Sequence, residues 1–187
     1  MQTASDDTQD SSLIGSLLVA TPAMTDPNFR RSILFLSHHT KENGAFGFVI
    51  NRPVLHQLAD LASSGDAIID QAPVYYGGPV DQDRLIAASL EWRDDPATVA
   101  FQAFSWPENT EHVSKLQQNG LRLFVGHSSW TSGQLESELK QNAWFIVPPT
   151  RNLIEMQDYT YAWRDILRSI DPSLKLLAEA PDNPSLN

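Results

Sequence analysis

The sequence predicts a mixed α+β domain with a substantial, largely antiparallel sheet. Short apolar runs typical of strands outnumber helical patterns, several runs are joined by hairpin-like turns, and strands and helices do not alternate strictly. A sheet of this kind can curl into a barrel. With 187 residues, 41% of them hydrophobic, the chain can bury a sizeable core within one compact unit.

The two ends of the chain are polar and poor in apolar patterns. We expect residues 1–12 to form a flexible acidic tail, residues 13–178 to form the single folded domain, and residues 179–187 to form a second flexible tail. Neither end is long enough to be a domain, and the sequence contains no internal repeat.

The first strands are predicted from apolar runs bounded by turn residues. Residues 13–20 form one such run, and residues 33–36 and 46–50 form two more. An Asn43-Gly44 pair lies between the last two runs. Because Asn-Gly favours tight turns, we expect these two strands to pair as a hairpin.

The middle of the chain predicts a short helix and three strands. Four apolar residues at helical spacing follow Pro53 and indicate the helix: Leu55, Leu58, Ala59 and Ala62. Strands are expected at residues 74–76, 85–90 and 97–104. An Asp-Asp-Pro turn at residues 94–96 separates the last two strands.

Two capping boxes predict helices in the second half of the chain. Ser105 and Glu108 have the Ser-x-x-Glu form, and the helix they open runs to about Gln118. Thr131 and Gln134 offer a second box at the start of another helix. In such a box each side chain satisfies a backbone N–H that the helix leaves free.

The remaining elements are two strands and a last helix. Residues 121–125 form a strand that ends at Gly126, and residues 144–147 form another before a Pro-Pro pair. The last helix begins near Asp158 and carries a face of apolar residues at helical spacing: Trp163, Ile166, Leu167 and Ile170.

The charge balance narrows the possible partners. Thirteen Lys and Arg residues oppose 23 Asp and Glu residues, which gives a formal net charge of −10. Such a protein repels nucleic acid and anionic membrane surfaces, so we expect neither direct nucleic-acid binding nor membrane docking. The neighbouring Arg30 and Arg31 still allow a small basic patch.

The chain has no cysteine, so disulfides and thiolate metal sites are impossible. It shows no secretory leader and no apolar run near the ~18 residues of a membrane helix. We therefore expect a cytoplasmic protein.

Three Gly-anchored polar segments lie between strand-like runs, at residues 47–53, 75–80 and 126–136. Gly, Pro, Asn and Trp at strand ends fix special backbone geometry and leave polar groups where a ligand can reach them. We therefore predict that the three segments meet at one recognition surface. The candidate binding residues are Asn51, Arg52, Gly77, Gly78, Pro79, Ser128, Trp130 and Gln134.

Each of these segments also has a structural interpretation. Arg52 offers five fixed donors to a carboxylate or phosphate, but in an acidic protein it can equally form an internal salt bridge. Gly77 and Gly78 can present backbone N–H groups to an anion, and a tight turn explains them as well.

The segment from Gly126 to Trp130 approaches the Gly-x-Ser-x-Gly nucleophile elbow, with Ser128 as the nucleophile. Trp130 stands where the elbow needs a small residue, so a strand-to-helix loop is the simpler interpretation. The five histidines show no zinc-protease spacing. We therefore assign no catalytic residue, no metal ligand and no cofactor.

Taken in order, these segments resemble the YqgE/AlgH family of bacterial proteins. The resemblance covers about residues 13–170 and includes the motifs Gly-Phe-Val-Ile-Asn-Arg-Pro at 47–53 and Tyr-Tyr-Gly-Gly-Pro-Val at 75–80. The family usually reads Gly-Tyr-Ala-Gly-Trp where this chain has Gly-His-Ser-Ser-Trp at 126–130. The resemblance implies a cytoplasmic protein with a bifurcated sheet that forms a small barrel flanked by helices.

The function these observations favour is a non-enzymatic binding or regulatory module for an unidentified protein or small molecule. The family resemblance adds an indirect role in transcriptional regulation. The alternative is a hydrolase-like enzyme with a Ser/His site near residues 126–130, which requires a histidine within hydrogen-bond reach of Ser128.

Overall fold

The computed structural model describes residues 12–57, 67–106 and 120–179. Its strands are β1 (Leu17–Ala20), β2 (Ile33–Thr40), β3 (Gly44–Val49), β4 (Pro53–Gln57), β5 (Pro73–Tyr76), β6 (Val80–Asp94), β7 (Ala97–Trp106), β8 (Leu121–Trp130) and β9 (Trp144–Val147). Its helices are α1 (Ala67–Asp70), α2 (Gln134–Lys140), α3 (Arg151–Glu155), α4 (Ala162–Ile170) and α5 (Lys175–Glu179), with a 3₁₀ turn at Pro172–Leu174. None of the described helices has the length and apolar character needed to cross a membrane.

The fold is mixed α+β, and its sheet curls into a half-barrel. The prediction of a largely antiparallel sheet needs correction. The sheet is mixed because β5 runs parallel to β8, whereas the other described pairings are antiparallel. The described helices are also few and short, so they flank the sheet less than we predicted.

The sheet branches at β8. The amino-terminal part of this strand pairs with β5 on one edge and with β6 on the other, and its last three residues pair with β3. The predicted strand end at Gly126 is therefore wrong, since the strand continues to Trp130. Gly126 has a φ of 67° and lies inside the strand, where this left-handed backbone irregularity turns the strand toward its next partner.

The hairpin prediction is confirmed, because β2 and β3 pair antiparallel around residues 41–43. The three strands β1, β2 and β3 are buried on both faces, which explains why their sequences are apolar at consecutive positions. In β1, Leu17 and Val19 face one core and Leu18 and Ala20 face another, following the two-residue repeat of a strand.

The larger of these two cores lies between the sheet and α4. Trp163, Ile166 and Leu167 of α4 are buried against it, as predicted, but Ile170 is exposed. The second, which we call the tryptophan core, contains Trp130 and Trp144 and is covered by α2. A third cluster packs between β5, β6 and β8.

Two helix predictions need correction. The segment after Pro53 begins as strand β4 rather than as a helix, because Pro53 and Gln57 pair with β5; the rest of the predicted helix lies outside the described residues. Ser105 belongs to β7, and most of the helix predicted after it also lies outside the described residues.

The second capping box forms only in part. Gln134 Oε1 accepts hydrogen bonds from the Thr131 backbone N–H at 3.1 Å and from its hydroxyl at 3.2 Å. The helix N-cap is Gly133, which supplies no side-chain cap. The Gln134 backbone N–H donates to the Thr131 carbonyl at 3.0 Å, so the reciprocal bond of a capping box, from this N–H to the Thr131 hydroxyl, is not formed.

Gly77 lies where the chain between β5 and β6 passes over β8. Its N–H donates to the Val125 carbonyl at 2.9 Å, and its carbonyl accepts from the Val49 N–H at 2.9 Å. A Cβ atom built on Gly77 would lie only 2.3 Å from the Gly126 carbonyl oxygen. A glycine is required here by the close approach of two backbones.

We expect Gly77→Ala to lower the free energy of unfolding by roughly 3 kcal/mol, because the added methyl meets backbone that cannot rotate away. The matched control is Gly133→Ala, which has a φ of 75° but no atom near the new Cβ. That variant should lose only about 1 kcal/mol from backbone strain. Urea unfolding followed by circular dichroism measures both, and equal losses would contradict the steric account.

Candidate functional site

Asn51 fixes the start of β2. Its Oδ1 accepts a hydrogen bond from the Ile33 N–H at 2.8 Å, and its Nδ2 donates to the Arg31 carbonyl at 2.9 Å. Arg31 has a φ of 59°, a left-handed conformation that is uncommon for a residue with a side chain. The amide of Asn51 therefore holds the end of the 26–32 loop in a strained conformation.

Arg52 holds the same loop from its other side. Its Nη1 donates to the Asn28 carbonyl at 2.7 Å, and its Nη2 donates to the carbonyls of Arg30 at 2.8 Å and Pro27 at 3.3 Å. The internal salt bridge considered from the sequence is replaced by three backbone carbonyls. These acceptors are neutral, so they satisfy the guanidinium donors and leave its positive charge in place.

The environment of Arg52 is crowded with charge. Burial lowers the pKa of the Arg52 guanidinium, the phenol of Tyr76 acts in the opposite direction, and the nearby Arg30 charge lowers it again. The Tyr76 ring lies beside the guanidinium, with its centroid 5.9 Å from Cζ. The Asp26 carboxylate, at the start of the same loop, raises the Arg52 pKa, so Arg52 lies near charges of both signs.

Gly77 and Gly78 are buried packing residues. A Cβ on Gly78 would lie 2.3 Å from both the His127 carbonyl oxygen and the Ser128 hydroxyl oxygen. The Pro79 carbonyl accepts a hydrogen bond from the Gln82 amide at 3.2 Å. This segment therefore shapes the branch point of the sheet.

Ser128 is completely buried, and its hydroxyl donates to the Gly77 carbonyl at 3.1 Å. The ring of His127 stacks on Phe46, with the two centroids 4.4 Å apart. Burial lowers the pKa of this imidazole. Because a nucleophile must reach its substrate, the burial of Ser128 does not support the hydrolase-like alternative.

Trp130 and Gln134 belong to a separate cluster around Glu138. The Glu138 Oε2 accepts hydrogen bonds from the indole N–H groups of Trp130 and Trp144, both at 2.8 Å. Its Oε1 accepts from the Gln134 side chain at 3.1 Å. Sequence reasoning missed Glu138, whose position four residues after Gln134 on α2 was the available signal.

Phe29 connects this cluster to the 26–32 loop. Its ring lies 6.2 Å from the Trp130 ring and 5.5 Å from the Trp144 ring, centroid to centroid. The three predicted segments therefore do approach one another. They meet largely as packing, and Asn51 and Arg52 also line the cleft described below.

The cleft has a volume of about 430 Å³ and lies between the 26–32 loop and the segment that leads into α4. Its lining residues come from three stretches of chain: Arg30 and Arg31; Asn51, Arg52 and Pro53; and Gln157, Asp158, Tyr159, Thr160, Trp163 and Arg164. Clefts of this size bind small molecules in many proteins.

Positive charge dominates the cleft. Four arginines and one aspartate line it, which gives a formal excess of three positive charges among the lining residues. Hydrogen bonds from the Thr160 hydroxyl and backbone N–H lower the pKa of Asp158, so this carboxylate is charged near neutral pH. An anion in the cleft would relieve the repulsion between the arginines.

Aromatic rings form part of the cleft wall. The Arg31 guanidinium lies over the Trp163 ring, 5.4 Å from its centroid, and the Arg164 guanidinium lies 4.6 Å from the Tyr161 centroid. Trp163 is anchored by its indole N–H, which donates to the Ala20 carbonyl at 2.7 Å. These contacts orient two of the four arginines by stacking.

The Arg30-Arg31 pair had suggested a small basic patch, but Arg164 was missed because its helical position identifies no partner in sequence. In the described parts of the chain, no three His, Asp or Glu side chains are grouped closely enough to hold a metal ion.

Comparison with known proteins identifies the family of this chain. The sequence pattern of DUF179, described as AlgH-like, matches residues 17–175. The UPF0301 protein of Streptomyces avermitilis is 35% identical over 193 residues, which covers 96% of this chain and 98% of the relative. The UPF0301 protein of Thermobifida fusca is 34% identical and covers 94% of this chain and 96% of the relative.

Two solved structures share the fold. The solution structure of AlgH from Pseudomonas aeruginosa aligns with a TM-score of 0.65 and 25% identity over 98% of this chain and 100% of that one. A crystal structure from Corynebacterium diphtheriae aligns with a TM-score of 0.67 and 22% identity over 89% of this chain and 92% of that one. The family predicted from the motifs is thereby confirmed, and the chain belongs to the AlgH-like family.

Proposed function

We propose that this protein is a non-enzymatic binding module whose cleft holds a small anionic ligand. The observation that carries the proposal is the excess of arginine in the cleft of a protein with a net charge of −10. Four arginines around one aspartate form a local reversal of the protein's field, which would attract and retain an anion.

The hydrogen bonds that hold one wall of the cleft in place also favour ligand binding. Asn51 and Arg52 together make four hydrogen bonds to the 26–32 loop and a fifth to Ile33 at the start of β2, and this loop carries Arg30 and Arg31 to the cleft. A site that is ordered before the ligand arrives loses less conformational entropy on binding. We infer that these two residues position the site and that Arg30, Arg31 and Arg164 face the ligand.

A small molecule fits the cleft better than a polymer does. The volume of about 430 Å³ lies within the range of small-molecule sites. A long polyanion would also meet the acidic remainder of the surface and be repelled there. Any regulatory role of the module would then follow from ligand binding, and we place that role in the bacterial cytoplasm, as the sequence predicts.

The proposal is tested by removing one cleft charge. We expect Arg164→Gln to weaken benzoate binding about fivefold at low ionic strength, and to weaken phenyl phosphate binding by a larger factor, because a partly buried positive charge is lost and the phosphate carries more negative charge. Isothermal titration calorimetry measures both affinities.

The matched control is Arg168→Gln, on the same helix and outside the cleft. Arg168 pairs with Asp165 and Glu179 at the surface, so its loss should leave both affinities within twofold of wild type. Equal weakening by the two variants, or no saturable binding to the wild-type protein, would contradict the proposed site.

A second test removes the support of the loop. We expect Asn51→Ala to lower the free energy of unfolding by about 2 kcal/mol, because the buried Ile33 N–H and the Arg31 carbonyl lose their partner. The exposed Asn152→Ala serves as control and should change stability by less than about 0.5 kcal/mol. Chemical unfolding measures both, and a wild-type midpoint for Asn51→Ala would refute the positioning role.

A further inference from the structure

A buried arginine lies behind the wall of the cleft. Arg122 projects from β8 and is only 5% exposed. Its Cζ lies 5.6 Å from the centroid of the Tyr75 ring and 5.8 Å from that of the Tyr159 ring, so the guanidinium lies beside two aromatic rings that contact each other nearly at right angles. Tyr159 also lines the cleft, so this residue is a neighbour of both Arg122 and the cleft.

The charge of Arg122 is not neutralised by its contacts. Its Nη2 donates to the Ile154 carbonyl, which is a neutral acceptor. Its Nη1 is buried without a hydrogen-bond partner, and no ion pair joins Arg122 to a carboxylate within the described chain. Burial raises the pKa of the Tyr159 phenol, so this neighbour stays neutral near pH 7.

Stability alone does not account for such a residue. Burying a cation costs desolvation free energy, and contacts with neutral groups offset this cost only in part. A protein is often as stable, or more stable, with an apolar residue of similar volume at such a position. The large core around Arg122 is otherwise apolar and aromatic. A counter-charge supplied from outside the protein would explain why a guanidinium stands here.

We propose that Arg122 is a specificity-determining charge that makes the cleft select dianionic small molecules, of the phosphate monoester class, over monoanions. The inference rests on the proposed function of the cleft. Arg122 adds a fifth positive charge to the four arginines in the lining, against the single charge of Asp158. The field of a buried charge is screened less by salt than that of a surface charge, so it reaches the ligand in the cleft.

The test compares two ligands that share a ring and differ in charge. Phenyl phosphate at pH 8 carries close to two negative charges, because its second pKa is near ~6, and benzoate carries one. Coulomb energy is proportional to ligand charge, so losing one protein charge should cost the dianion twice the binding free energy that it costs the monoanion. The fold-loss in affinity for the dianion should then be the square of the fold-loss for the monoanion. In calorimetric titrations we expect Arg122→Met to lower the affinity for benzoate roughly threefold and the affinity for phenyl phosphate roughly tenfold.

The stability of the ligand-free protein gives an independent readout. Arg122→Met should unfold at the same denaturant midpoint as wild type or at a higher one, because it removes a buried charge and keeps the packing volume. Arg122→Lys retains the charge and should keep most of the preference for phenyl phosphate. A large loss of stability in Arg122→Met, or equal weakening of the two ligands, would reduce Arg122 to a structural role and overturn the inference.

The wild-type protein supplies a test that needs no variant. From pH 5 to pH 8 the affinity for phenyl phosphate should rise as the second proton leaves, while the affinity for benzoate stays level. Hydrogen bonds from Thr160 lower the pKa of Asp158 and burial raises the pKa of Tyr159, so neither group changes its charge over this range. A flat profile for both ligands would overturn dianion selection alone, whereas no binding of either ligand would remove the proposed function as well.

Discussion

The hydrogen bonds from the Arg52 guanidinium to three carbonyls of the 27–30 segment are the interaction on which the cleft depends. A carboxylate partner would have anchored Arg52 equally well and cancelled its charge. Carbonyls anchor it and leave the charge in place. The loop that forms one wall of the cleft is therefore fixed by a residue that also contributes to its positive potential.

Arg122, like Arg52, contacts neutral groups rather than carboxylates. Its neighbours are the Ile154 carbonyl and two tyrosine rings. The tryptophan core shows the opposite arrangement, because there the Glu138 carboxylate is held by two neutral indole N–H groups. At Arg52 and at Glu138 a charge is kept and hydrogen bonds join it to neutral groups. Phe29 links the two, since it packs between the tryptophans and belongs to the loop that Arg52 holds.

Sequence patterns predicted the strands well, because short apolar runs and turn residues are local signals. The β2–β3 hairpin is confirmed, and so is the apolar face of α4 apart from Ile170. The helix after Pro53 failed at its start because strand pairing with β5 outweighed helical spacing. Asn51 and Arg52 were identified from their motif, but Arg122 and Arg164 were not. Their role depends on which segments meet in space, and spacing along the chain does not specify that.

The central claim is that an anion binds between the 26–32 loop and the segment leading into α4. Titrating ¹⁵N-labelled protein with phenyl phosphate and following backbone amide shifts tests it residue by residue. The account predicts saturable shifts concentrated at Arg30, Arg31, Thr160 and Arg164, with the amides of α2 unchanged. Saturable shifts confined to any other region, such as the Phe46 and Phe101 groove on β3 and β7, or no saturable shifts at all, would contradict it.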